Sequence, residues 1–217
     1  MAAFDYPDVL GAIPDGTRFE GETLQYAVGV YPGTTMLDQP FEVLVVLQSK
    51  IDQPQEVALA LQLPLRDSAG RRLSFFMPRK QLKVHLYPAE VGVVHLPVVA
   101  QPPTPPAQGY PLMVALRVNA PASAKPVRGA GAGRPPSALN ISPFRLEVLR
   151  EIGFCAEGKA GQLRCRFNVM TGHVDPGAFK PQHKYEILWT LDDFEMERER
   201  LARSRAIAER VALDFTA

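Results

Sequence analysis

Six short runs of this chain alternate apolar side chains with less apolar ones at a period of two, and no other signal constrains the fold as tightly. One face of "LQYAVGVY" carries Leu24, Tyr26, Val28 and Val30, and one face of "FEVLVVLQ" carries Phe41, Val43, Val45 and Leu47. "VALALQL" presents Val57, Leu59, Leu61 and Leu63; "LKVHL" presents Leu82, Val84 and Leu86. "VHLPV" sets Val94, Leu96 and Val98 against His95 and Pro97, and "LMVALRV" sets Leu112, Val114, Leu116 and Val118 against Met113, Ala115 and Arg117. Successive side chains of a strand point to opposite faces, so each run can bury one face and leave the other less apolar. A helix repeats every 3.6 residues and would scatter these side chains around its surface. Turn chemistry falls between the runs, in "YPGT", "DQP", "DQPQ", "DSAGR" and "YPAEVG". Six or seven short strands with turns and no intervening helix predict an antiparallel sandwich or barrel over 17–118.

Proline sharpens this reading. The chain has 21 prolines in 217 residues, about twice the usual share of roughly 5%. Five of them fall between Pro102 and Pro111, separating two valine-rich runs. Proline-rich segments can be recognition motifs. Flanked by two strands, this one reads instead as a stiff crossing that also denies a free N–H to stray strands.

The segment 86–118, "LYPAEVGVVHLPVVAQPPTPPAQGYPLMVALRV", resembles the last strands of bacterial immunoglobulin-like accessory domains. In those a P-x-E-x-G turn precedes a strand, a proline-rich crossing follows, and G-x-Y-x-L-x-V-x-V closes the sandwich. The matching positions are Pro88, Glu90, Gly92, Gly109, Tyr110, Leu112, Val114 and Leu116. The resemblance implies an immunoglobulin-like antiparallel β-sandwich that binds sugars, acts as a spacer or packs beside other domains. It transfers no catalytic residue, and a fold by itself assigns no function.

Beyond the sandwich the composition changes. Residues 119–143 hold five prolines, three glycines and six alanines, with Lys125, Arg128 and Arg134 but no acidic residue, which reads as a linker or long loop. "RLEVLREIGF" and "QLRCRFNV" then read as a hairpin about Gly158 and Gly161, and "KYEILWT" as a further strand with Tyr185, Ile187 and Trp189 on one side. The final segment predicts an amphipathic helix. Thr190 and Asp193 make a capping-box-like start, Glu199 and Arg203 an i,i+4 pair, and Phe194, Leu201, Ala208, Val211 and Phe215 an apolar stripe. The expected organisation is an extension over 1–16, a sandwich over 17–118, a linker over 119–143, and a part of hairpin, strand and helix over 144–217. The sandwich and the part over 144–217 are read as lying in close contact, since three strands alone have little core; the alternative is that these strands extend the first sandwich, with the linker as an excursion loop.

Chemistry is sparse. "GAGAG" lies in the linker, away from any strand-to-helix turn, and so lacks the context of a phosphate loop. His173, Asp175, His183 and Glu186 are metal-ligand types, but irregular spacing and Pro176 and Pro181 make surface loop residues the expectation. His85 and His95 read as exposed. Neither a cofactor nor a metal is expected, and no enzymatic activity.

Cys155 and Cys165 flank the hairpin loop. Two unpaired thiols are expected, Cys165 sharing the inward face of Leu163, Phe167 and Val169, with a cross-strand disulfide as the alternative. The N-terminus shows no secretory signal and no apolar run is long enough for a membrane helix, so the expected location is cytoplasmic, without a membrane. A net charge of +1 supplies no global field for nucleic acid. Arg145, Arg150, Arg164 and Arg166 form a basic face, read as solvated strand surface or as a dock for an acidic partner or a phosphate backbone. The function expected is therefore an interaction or structural module, part of an oligomer or larger assembly, that contacts a protein partner or itself through the helix stripe. The alternative is a carbohydrate-binding accessory domain stacking sugars on Tyr31, Tyr87, Tyr110 or Trp189.

Overall fold

The computed structural model describes residues 9–10, 18–125, 152–155, 157–159, 161–172, 184–190, 192–193, 196, 199 and 203. Thirteen strands run through them: β1 (Phe19–Glu20), β2 (Leu24–Tyr31), β3 (Thr34–Met36), β4 (Pro40–Ser49), β5 (Gln55–Gln62), β6 (Ser74–Phe76), β7 (Gln81–Leu86), β8 (Val91–Gln101), β9 (Ala107–Asn119), β10 (Gly153–Phe154), β11 (Glu157–Lys159), β12 (Gln162–Met170) and β13 (Lys184–Trp189). All six alternating runs are strands. They lie in two sheets. The first has the order β1-β2-β4-β8-β13, with β10 also pairing β2 and β6 also pairing β8; the second has the order β11-β12-β9-β5-β7, with β3 pairing β12 in parallel. The other pairings are antiparallel.

The inward faces of the alternating runs meet between the sheets. Phe41, Val43, Val45 and Leu47 of β4 are fully buried and share one cluster with Val57, Leu59, Leu112, Val114, Leu163 and Phe167. Phe41 and Phe167 stack across the core with ring centroids 4.6 Å apart; Phe75 meets Phe167 edge to face, and Tyr110 lies tilted against it. Fully burying one such side chain stabilises the fold by about 1.5–3 kcal/mol.

The first sheet departs from the one-sided pattern. Its opposite face carries a second cluster, in which Ala27, Leu44, Val46, Val91 and Val93 are covered by Val9, Leu10, Ile152, Leu188 and Trp189. At its polar end, Gln48 Oε1 accepts hydrogen bonds from the Val9 N–H (3.1 Å) and from Gln25 Nε2 (2.7 Å). Val9 and Leu10 are therefore held on this sheet by a buried polar contact as well as by apolar packing.

The proline run carries the chain from β8 in the first sheet to β9 in the second. Tyr110 is buried near the start of β9, and its hydroxyl donates to the Pro105 carbonyl (2.7 Å). Thr104 Oγ1 accepts from the Ser74 N–H (2.8 Å) and donates to the Ser74 carbonyl (2.9 Å), fastening the crossing to β6.

Strands after residue 143 build no sheet of their own among the described residues. β12 extends the second sheet beside β9, and β13 extends the first beside β8. The hairpin differs from the one expected: its first arm is only β11, while β10 pairs with β2 in the other sheet, and 144–151 lie outside the described residues. Between β10 and β11 the chain therefore passes from one sheet to the other. Cys155 sits at this passage, its N–H donating to the Val28 carbonyl (2.7 Å).

Cys165, on the inward face of β12, is joined to Cys155 as a disulfide with Cα atoms 4.8 Å apart, a separation within the range disulfides span. The expectation of two free thiols is corrected here. Spacing along the sequence does not reveal that a sheet-to-sheet passage brings residue 155 against β12. The alternation in β13 also fails at its end. A register shift between Ile187 and Trp189 leaves Ile187 47% exposed and turns Leu188 and Trp189 into the second cluster.

The capping contacts expected at Thr190 are made: the Thr190 N–H and hydroxyl both donate to Asp193 Oδ2, at 2.8 and 2.9 Å. Asp192, Asp193, Met196, Glu199 and Arg203 have helical backbone, and Arg203 lies 3.5 Å from Glu199. The predicted amphipathic helix is nonetheless not among the described elements, and its stripe, Phe194, Leu201, Ala208, Val211 and Phe215, lies outside the described residues.

Candidate interaction surface

Three groups of polar side chains compete for a functional role. The first belongs to the turn "YPAEVG". Ala89 takes a positive φ of 57°, which turns Glu90 inward until it is 1% exposed. Its carboxylate accepts from the Tyr87 N–H (3.3 Å) and from the Tyr185 hydroxyl. Gly92 completes the arrangement, because a Cβ there would overlap the Tyr185 ring. Burial, then the Glu90 hydrogen bond and charge, push the Tyr185 hydroxyl far above the ordinary tyrosine range. The P-x-E-x-G turn is thus a socket that locks β13 onto β8.

The second group lies on the first sheet, where Glu42, 6% exposed, faces His95 Nδ1 at 2.9 Å. His95 Nε2 lies 3.7 Å from Glu186, whose carboxylate also pairs with Lys184 at 2.9 Å. His95 is therefore half-buried and paired, which corrects the expectation of an exposed histidine; His85 is exposed. The two carboxylates approach opposite ring nitrogens and do not converge on one point, as metal ligands must. His173, Asp175 and His183 lie outside the described residues, and among the described residues there is no group able to hold a metal ion.

The third group is the outward face of the second sheet. Its register sets Arg164 beside Met113, Arg166 beside Pro111, and Gln162 beside Ala115. Ala115 pairs with Ala60 and Arg117 with Ala58, and across β5 Ala58 pairs with Lys83 and Glu56 with His85. Ala58, Ala60, Met113 and Ala115 make a half-buried centre of small or flexible side chains. Around it stand Lys83, Arg117, Lys159, Arg164 and Arg166, all exposed, against two carboxylates, Glu56 and Glu157. Glu56 is engaged by Lys83 (3.0 Å). Among the described residues, the side chains of Arg117, Arg164 and Arg166 make no ion pair or hydrogen bond. Two of the four arginines expected to form a basic face, Arg164 and Arg166, are thus on it. Arg145 and Arg150 lie outside the described residues. Sequence reading missed Arg117 and Lys83, which join the face only through the pairing of β9, β5 and β7.

The aromatic set considered for sugar stacking is not brought together. Tyr110 is 4% exposed and Trp189 8%, each spent on packing, whereas Tyr87 is 62% exposed. Tyr31 packs against the second cluster.

No protein-family model matches the chain, and no curated protein matches it. Among solved structures, an alkylpurine DNA glycosylase, AlkC of Pseudomonas fluorescens, bound to DNA containing an abasic site analog, is 15% identical at a TM-score of 0.28, covering 45% of this chain and 28% of that one. WR4, a C. elegans MSP family member, is 12% identical at a TM-score of 0.25, covering 65% of this chain and 93% of that one. At these scores neither likeness assigns a fold or an activity.

Proposed function

We propose that this chain is a non-catalytic interaction or structural module, a component of a larger assembly. One observation carries the reading: the chain's own segments bury the outer face of its first sheet, while the outer face of its second sheet holds exposed arginines whose side chains are unpaired among the described residues. Three exposed arginines whose side chains have no ion-pair or hydrogen-bond partner among the described residues present their donors to another molecule.

An immunoglobulin-type sandwich is the finer reading of the scaffold. Reading β2, β4, β5, β8, β9 and β12 as strands A, B, C, E, F and G puts A-B-E in one sheet and C-F-G in the other. The Tyr110 hydroxyl bonding back to Pro105 matches the tyrosine corner of that architecture. The loops of such a rigid body, or its open sheet face, serve as contact surfaces. The sequence stripe of Phe194, Leu201, Ala208, Val211 and Phe215 is a second contact surface within the proposal. A cytoplasmic location belongs to the proposal too, and the buried disulfide weighs against it, since such bonds are rare where thiols are kept reduced.

Light scattering on the chain isolated under native conditions tests the reading. The proposal expects a mass above the 23.9 kDa of one chain, reduced by Leu201→Asp with Val211→Asp or by reversing Arg164 and Arg166. A chain that isolates as a monomer, unchanged by either pair, would overturn it.

A further inference from the structure

We infer that the open face of the second sheet is a docking surface for an acidic, extended polypeptide segment, an inference that rests on the module reading above. The face combines three features. It has a cation excess, with Lys83, Arg117, Lys159, Arg164 and Arg166 against Glu56 and Glu157. Among the described residues, the side chains of its three arginines make no ion pair or hydrogen bond that would have to break first. Its centre, Ala58, Ala60 and Ala115 with Met113 beside them, is low enough for another backbone to approach the pleat closely.

Spacing favours an extended ligand. Arg164 and Arg166 are two residues apart on β12, so their Cα atoms stand roughly 7 Å apart, the same repeat at which an extended chain presents alternate side chains. Arg117 lies further along the neighbouring strand, three such steps from Arg166 in register, roughly 20 Å. An extended segment with carboxylates on alternate residues would meet the guanidinium groups in sequence, each able to bind a carboxylate through two N–H donors. A second copy meeting this face with the same face would set cation against cation. Single-stranded nucleic acid would need aromatic platforms, and the outward positions of β5, β7, β9 and β12 hold no phenylalanine, tyrosine or tryptophan.

Fluorescence anisotropy with a labelled polyglutamate peptide tests the inference on the full purified chain at low salt. The expected result is saturable binding that weakens as salt rises, and that falls about tenfold or more when Arg117, Arg164 and Arg166 are all changed to Glu. Changing Arg72, Arg79 and Lys80 to Glu alters net charge equally at exposed positions elsewhere and should cost less than about twofold. A third variant with lysine at the three arginine positions keeps the charge and should retain most of the binding; circular dichroism confirms that each variant folds. Equal losses in the two Glu variants, no binding by the unaltered chain, or tighter binding of a labelled DNA duplex would overturn the inference. Failure here beside a native mass above one chain would sink the acidic partner alone. Face-dependent peptide binding by a chain that always isolates as a monomer would sink the module reading instead.

Discussion

Gly92, Glu90 and Tyr185 show how one short motif is decided by three contacts. Gly92 is required because the Tyr185 ring occupies the place of its Cβ. Gly92→Ala should therefore lower stability by about 2–3 kcal/mol, and Tyr185→Ala in the same chain should absorb most of that loss, a double-mutant cycle measurable by urea unfolding. Tyr185→Phe removes the hydroxyl donor and leaves Glu90 short of a partner, at about 1–3 kcal/mol. The raised Tyr185 hydroxyl gives a pH signature. The folded chain holds that proton more tightly than the unfolded chain, so its stabilisation is intact below the unfolded value of about 10 and is lost as pH rises beyond it. Unfolding midpoints measured above that value should fall less steeply in Tyr185→Phe. Tyr110, raised chiefly by burial, contributes a loss of the same sign in both chains.

At the scale of elements, the crossing and the passage between sheets are each fastened by a few local bonds. Tyr110→Phe removes the bond to Pro105 while keeping the ring in the core, and should cost about 1–1.5 kcal/mol by thermal unfolding. The disulfide closes a separation of ten residues. Replacing Cys155 and Cys165 together by Ala should cost about 2–3 kcal/mol, and alkylation of the unfolded chain before reduction should find no free thiol. Two free thiols in chain taken directly from the cell would instead fit the cytoplasmic expectation.

Strands with four or more alternating positions were legible from sequence, as β2, β4, β5, β7, β8 and β9 attest. β1, β3, β6 and β11 were not, because two or three residues hold no full period of alternation. The bulge in β13 broke its pattern for a related reason: a register shift is set by the partner strand, and β8 is distant in sequence.

Across the whole molecule, the two sheets differ in what covers them. The first is buried on both faces, and its sequence carried the sign: "VLVVL" and "VGVV" are nearly continuous apolar runs, as expected of strands without a wet side. The second alternates strictly, with β12 exposed at Gln162, Arg164, Arg166 and Met170. Part of the basic face was visible as Arg164 and Arg166 on one strand. Arg117 and Lys83 join it through long-range register, which no local pattern in the sequence encodes.

Amide chemical-shift mapping of the labelled chain titrated with polyglutamate tests the central claim, that the open second sheet is the contact surface. Shifts concentrated on 56–62, 111–119 and 162–168, and lost when Arg117, Arg164 and Arg166 become Glu, are the predicted result. Shifts confined to the first sheet, or unchanged by those substitutions, would contradict it.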